Sequence, residues 1–281
     1  MTEHLAPQIS DIGRNICPIR HKGISATSLR SDTGDNTMAS SRHPDTRHFL
    51  PGVIAVVGSD GAGKSTLTAD LLNHLQQEQA TELLYLGQDS GNIARWIKTR
   101  PLIGPVIARY LVKRSERAHA SKDRKSSPPD LLTAIVIFLL SFWRRSKFKK
   151  VPLLSQKGIV VITDRYPQAE VAGFHFDGPG LAALEKGSFL VRFLARQEQR
   201  LYREMANYVP ALVIRLNIDA KTAYERKPDH KLSSLEAKTS VFPTLTFNGA
   251  RILDLDTREP YATVLQQALA EARSVSRPAT L

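Results

Sequence analysis

The stretch that most narrows what this chain can fold into is Val53-Ile-Ala-Val-Val57 followed by Gly58-Ser-Asp-Gly-Ala-Gly-Lys-Ser-Thr66. Five apolar, mostly β-branched residues predict a buried strand. The turn after them matches GxxxxGK[ST], and Leu67-Thr-Ala-Asp-Leu-Leu-Asn-His-Leu75 begins a helix. Gly58, Gly61 and Gly63 permit backbone conformations that turn successive N–H groups inward around phosphate oxygens. The dipole of the following helix points its positive end at the same place. Lys64 can reach β- and γ-phosphates as a point charge, and Ser65 can offer its hydroxyl oxygen to Mg²⁺. The alternative is a merely structural glycine-rich turn. Placement between strand and helix favours a nucleoside-triphosphate site formed by Gly58, Ser59, Asp60, Gly61, Ala62, Gly63, Lys64, Ser65 and Thr66.

A chain of 281 residues has room for one large α/β domain plus tails. Cys17 is its single cysteine, so no internal disulfide forms. The N-terminus lacks an apolar core of roughly 7–15 residues, the mark of a secretory leader, and the chain reads as cytoplasmic. The net charge of +12 suits nucleic acid, an anionic membrane surface or small phosphorylated substrates.

Residues 1–48 are polar and show no period of 2 or 3.6, which predicts a disordered tail. The folded domain is expected over 49–275, with 276–281 as a C-terminal tail. A helix is predicted from about Ser65 to Gln79, then a strand over Thr81–Leu86. The basic stretch from Ile93 to Lys125 spaces Ile103, Val106, Ile107, Tyr110 and Leu111 as an amphipathic helix would. The apolar run Leu131–Trp143 has about 13 residues where a membrane span needs ~20, so a core helix is favoured over surface attachment through Trp143 and the cations after it. Strands are predicted at Gly158–Asp164, Ala211–Leu216 and Arg251–Leu255. A helix over roughly 181–207 carries Phe189, Leu190, Phe193, Leu194, Leu201 and Met205 on its apolar side, and a last helix reaches about Arg273. Such alternation implies a parallel sheet covered on both faces, with ligands at the carboxyl ends of its strands. Lys64, Asp164, Asp219 and Asp256 all fall at or beyond such ends.

Asp164-Arg165-Tyr166 is the second anchor. An acid closing a β-branched strand downstream of a phosphate loop fits a carboxylate that orients Mg²⁺ beside Ser65. Arg165 can then grip a second phosphate bidentately. The structural alternative is a loop-capping Asp with Arg as its salt-bridge partner.

The phosphate loop with an acid at its third position, combined with Asp164-Arg165-Tyr166, resembles the thymidylate kinase family of P-loop nucleoside-monophosphate kinases. Residues 211–227 resemble that family's fourth strand and opening of the lid, and Ile252–Thr257 its last strand. The resemblance covers roughly 50–273. It implies a P-loop α/β sandwich with five parallel strands in order 2-3-1-4-5, and transfer of the ATP γ-phosphoryl group to a small phosphorylated acceptor such as dTMP. By the same resemblance Lys64, Asp164, Arg165 and Arg226 are the catalytic set, and Ser65 with Asp164 holds Mg²⁺. Asp60 faces the acceptor near its sugar, and a lid over about 225–242 brings Arg226, Lys227 and Lys231 over the phosphoryl. Arg144 or Arg145 resembles the family's substrate-contacting helix arginine. A homodimer is also implied, with the helix of 131–143 as a candidate face.

The family's Arg-Glu-Pro-Gly-Gly after the second strand is replaced here by Leu86-Gly-Gln-Asp-Ser-Gly91, and its Tyr-Gln pair after Asp-Arg-Tyr is missing. Donor machinery is therefore intact and acceptor recognition rebuilt, which leaves open a nucleoside, a sugar or sugar phosphate, or a polynucleotide end. A non-catalytic nucleotide-binding role is disfavoured by the presence of Lys64, Ser65 and Asp164 together. Asp177-Gly-Pro-Gly180 matches a GTPase DxxG, but it follows no strand and no Asn-Lys-x-Asp occurs. Aromatics interleave sparsely with the basic residues, at Trp96, Tyr110, Trp143 and Phe148, so no nucleic-acid stacking platform is evident.

Overall fold

A computed structural model of the chain describes residues 47–87, 129–171, 180–181 and 187–276. The expected N-terminal tail to residue 46, the basic stretch 93–125 and the segment 172–179 lie outside the described residues.

Five strands form one parallel sheet in order β2-β3-β1-β4-β5: β1 His48–Gly58, β2 Thr81–Tyr85, β3 Val160–Asp164, β4 Tyr208–Asn217 and β5 Ile252–Asp256. This is the P-loop strand order that the family resemblance implied. β1 sits at the centre, with Val56 opposite Asp164 on one side and Ile214 on the other. It starts earlier than the apolar run suggested, and its register with β4 shifts between Leu50 and Ile54, where Pro51 removes a donor.

The unbroken apolar run of β1 follows from burial on both faces. Ile54 and Val56 point into a core with Leu67, Leu71 and Leu75 of α1 (Lys64–Leu75) and with Val264, Ala268 and Ala272 of α7 (Tyr261–Ser276). Val53, Ala55 and Val57 point the other way. There they meet Phe148 of α2 (Leu131–Phe148), Val151 of α3 (Lys150–Gln156), and Tyr202 and Met205 of α4 (Phe189–Ala206).

The structure changes the phase of α4. Its buried face is Val191, Ala195, Glu198, Tyr202 and Met205, while Phe189, Leu190 and Phe193 are exposed. The reason is Glu198, wholly buried and accepting hydrogen bonds from Ser141 Oγ of α2 and from Leu181 N, each at 2.5 Å. A satisfied carboxylate fixes the α2–α4 contact, and Phe189, Leu190 and Phe193 are rotated outward. The apolar run of α2 is likewise half covered: Ala134, Ile137 and Leu140 are buried, and Leu131, Ile135 and Phe142 are exposed. Among the described residues no helix is long and apolar enough to cross a membrane.

Beyond β4, α5 (Ala220–Arg226) and α6 (Leu232–Val241) lead to a 3₁₀ turn at Phe242–Thr244. Together they arch over the carboxyl end of the sheet. Arg215 in β4 ties down the far end of this arch, donating to the carbonyls of Phe242, Pro243 and Leu245 at 2.9–3.1 Å.

Candidate active site

The glycine-rich loop leaves β1 at Gly58 and enters α1 through Gly63, which holds φ +86° at the N-cap. Gly61 also has φ +86°, and a Cβ there would lie 2.9 Å from the carbonyl oxygen of Ala223 in α5. Glycine is therefore required both by conformation and by the close approach of the α5 backbone. Lys64 is 8% exposed and donates to the carbonyl of Ser59 at 2.8 Å, curling the loop around its own ammonium.

Asp164 closes β3 beside this loop. Ser65 Oγ donates to Asp164 Oδ2 at 2.9 Å, while Asp164 Oδ1 is buried with no hydrogen-bond partner. An orphaned carboxylate oxygen adjoining a hydroxyl oxygen is a donor set for a hard cation. Mg²⁺ takes one or two carboxylates and fills its remaining positions with water and phosphate. The residues present fit that ion. No group of three or more His, Cys, Asp or Glu gathers elsewhere among the described residues to hold a metal.

Arg165 follows at φ +74°, a left-handed conformation uncommon for a residue with a side chain, held by its N–H on Val56 O at 2.9 Å. The bend aims its guanidinium across the loop. Nη2 stands 3.6 Å from Asp60 Oδ1, Nε 4.0 Å from Asp164 Oδ1, and the group lies 5.6 Å from the Tyr85 ring. Tyr166 turns inward, is buried, and donates to the carbonyl of Tyr208 at 2.8 Å. Burial pushes that phenol well above its ordinary pKa, so it stays a donor.

Asp60 is the electrostatic hub. Lys238 of α6 forms a close hydrogen-bonded ion pair with its Oδ2, and His230 Nε2 approaches to 3.6 Å. Burial works to raise the Asp60 pKa. The Lys238 hydrogen bond and the charges of Lys238, Lys64 and Arg165 outweigh burial and hold it below the usual carboxylate range. α6, the glycine-rich loop and Arg165 thus converge on one carboxylate.

The other sequence-derived candidates do not join this convergence, although Asp219 and Asp256 line a cavity beside Ser59. Arg226 lies at the outer side of the loop, with Nη2 donating to Thr257 O at 2.9 Å and Nη1 3.5 Å from Gly61 O. Lys227 and Lys231 are exposed. Arg144 is buried in the α2–α4 contact, 3.4 Å from the Tyr202 hydroxyl, and Arg145 pairs with Glu204 at 2.8 Å. Asp219 caps α5 through Thr222 N at 2.8 Å. Asp256 is pulled down to a pKa of about 2 by hydrogen bonds from Arg258.

Lys238 and Lys147 were not singled out from sequence. Lys238 lies three residues after Leu235, the buried residue of α6, and so shares its inward face. Lys147 lies four after Trp143, sits 3.7 Å over that ring, and donates to Tyr85 O and Gly87 O at 3.3 and 3.4 Å. A cavity of about 170 Å³ opens beside Ser59, walled by Ile218, Thr239, Pro243 and Arg258.

No protein-family model matches the chain. The uncharacterized ATP-binding protein YghS of Escherichia coli K12 is 53% identical over 217 residues, covering 77% of this chain and 90% of that protein. The uncharacterized ATP-binding protein YghR of the same strain is 44% identical over 221 residues, covering 79% and 86%. Among solved structures, a deoxyadenosine kinase from M. mycoides with bound dCTP aligns over 79% of this chain and 100% of that one, at 14% identity and a TM-score of 0.44. With its fold, its phosphate loop and two close relatives over most of their length, the chain belongs to the family of YghS and YghR.

Proposed function

We propose that the chain is an ATP- and Mg²⁺-dependent phosphotransferase of the thymidylate kinase type, passing the γ-phosphoryl group of ATP to a nucleoside monophosphate such as dTMP. The observation that carries this reading is the convergence of Lys64, the Ser65–Asp164 pair and Arg165 at the carboxyl ends of β1 and β3.

The loop backbone and Lys64 bind the β- and γ-phosphates, and the cavity beside Ser59 takes the rest of the donor nucleotide. Ser65 and Asp164 would hold Mg²⁺, which would offset negative charge on the donor phosphates. Arg165 grips the acceptor phosphate, whose oxygen attacks the γ-phosphorus as the bond to the β-phosphate oxygen breaks, leaving ADP. Lys238 moves from Asp60 to the phosphoryl as charge spreads over its equatorial oxygens. Little covalent chemistry is needed; alignment and fixed cations supply the acceleration.

The test is ADP release by the purified full chain with Mg·ATP and a panel of nucleoside monophosphates, nucleosides and sugar phosphates. The expected result is release stimulated by a nucleoside monophosphate, dTMP among the panel, and lost in Lys64→Ala. Stimulation only by sugar phosphates or nucleosides reassigns the acceptor. Absence of turnover with every acceptor overturns the reading.

A further inference from the structure

A second cavity, about 570 Å³, lies at the other end of β1 from the glycine-rich loop. Its floor and walls come from the first residues of β1 and β4, the ends of α2 and α4, and α3. At roughly 3.3 Å per residue, the length of β1 puts it about 30 Å from the phosphate loop. Its volume lies in the range typical of small-molecule pockets, ~300–1,000 Å³.

The lining has a definite chemistry. His48 and Tyr208 stack tilted at 5.0 Å between centroids, and Phe148 meets Tyr208 edge-on at 5.8 Å. Leu153, an exposed side chain, extends the apolar surface, with buried Met205 beneath it. These walls are preformed, because Phe148 is also braced edge-on by Tyr166 at 5.6 Å and the Tyr166 hydroxyl is fixed on Tyr208 O. Little ordering is left for a ligand to supply.

Charge narrows the occupant. Arg145 is spoken for by Glu204 through Nε and Nη2 at 2.9 and 2.8 Å. Lys149 adds a cation that no acid of the lining offsets. The side-chain amides of Gln156 and Asn207 line the same cavity and make no hydrogen bond to a described residue.

We infer that this cavity is a second ligand site, taking a planar aromatic molecule that carries an anionic group: rings against His48, Tyr208 and Leu153, the anion at Lys149, and polar edges on Gln156 and Asn207. It is separate from the phosphate loop and does not depend on which acceptor the enzyme uses.

The probe is 1-anilinonaphthalene-8-sulfonate, which pairs flat rings with one sulfonate, added to the full-length protein and followed by fluorescence. The expected result is saturable one-site binding, at least fivefold tighter than for uncharged N-phenyl-1-naphthylamine. It persists at saturating Mg²⁺ and a non-hydrolysable ATP analogue. Lys149→Glu weakens it at least fivefold, and Gln156→Trp, which fills the cavity, abolishes it. If Gln156→Trp does not fold, the exposed Lys149→Glu carries the test. No saturable binding, displacement by the ATP analogue, equal affinity for the uncharged probe, or parental affinity in either folded variant overturns the inference.

Discussion

Ser65 Oγ donates to Asp164 Oδ2 across 2.9 Å, joining the first turn of α1 to the last residue of β3. The pair holds the carboxylate so that Oδ1, which accepts no hydrogen bond and has Arg165 Nε 4.0 Å away, faces a candidate cation position. Removing that charge leaves the shape of the site intact, because Asn keeps the volume and can still accept from Ser65. Asp164→Asn is therefore expected to lower turnover by about 10²-fold or more, as losses of a fixed transition-state group do. Its circular dichroism and melting temperature are expected to match the parent. The same turnover in variant and parent removes Asp164 from the chemistry.

Lys238 rather than Arg226 is the cation paired with the loop's Asp60, and under the proposed function it is the one that meets the phosphoryl. Its ammonium pairs with Asp60, whereas Arg226 is engaged with Thr257 O outside the loop. A cation that meets the phosphoryl only as charge develops acts on kcat more than on donor binding. Lys238→Ala is expected to lower kcat roughly 10- to 100-fold with the ATP KM changed far less. Lys238→Arg is expected to restore part of the loss. Arg226→Ala is expected to leave kcat within about threefold of the parent and raise the ATP KM, since it supports the loop backbone. Steady-state kinetics on the three variants distinguishes these outcomes.

Much of this site was legible in the chain because its causes are local. Val53–Val57 can only be a two-faced buried strand, and the loop after it can only turn with glycines where φ is positive. Asp164 closes an apolar strand, and that placement alone puts it beside Ser65 in a parallel sheet. What was not legible depends on rotation of one element against another. The exposed phase of α4 follows from Glu198 meeting Ser141, 57 residues away, and no periodicity in 189–206 announces it. Lys238 reaches Asp60 across 178 residues, so its role depends on how α6 is laid down. Arg215 is the exception: a charged residue inside an apolar strand demands partners, and that signal stands in the sequence.

Gly61→Ala tests the loop without touching a charge. The added methyl would sit 2.9 Å from Ala223 O and 3.3 Å from Ala223 Cα, at a φ of +86° that alanine resists. Backbone atoms cannot swing aside as a side-chain tip can, so the loop must move away from α5. The expected result is a protein that folds, with stability lowered by about 1–3 kcal/mol for the strained conformation. Affinity for Mg·ATP is expected to fall at least tenfold by calorimetry. Parental nucleotide affinity shows that the loop tolerates displacement from α5.

Arg215 and Asp254 form the joint that holds the segment after α6 against the sheet. Nε and Nη2 of Arg215 donate to the two Asp254 oxygens at 2.6 and 2.7 Å, while Nη1 serves three carbonyls of 242–245. Replacing Arg215 by Leu keeps the strand's bulk but leaves these buried carbonyls unsatisfied. The expected cost is about 3 kcal/mol, or roughly 6–12 °C in melting temperature for a domain of this size. The pair also sets a pH dependence. The Arg215 hydrogen bonds, against an opposing effect of burial, hold Asp254 below its ordinary value of 3.8. A carboxylate depressed in the folded state stabilises fully above the unfolded pKa, and its contribution fades as pH falls from about 4 through the lower folded value. Melting curves between pH 7 and 2.5 are therefore expected to show an acid-side loss that is smaller in Asp254→Asn, which starts less stable at neutral pH and has no such carboxylate to protonate. Identical acid slopes in the two proteins assign that loss to other carboxylates.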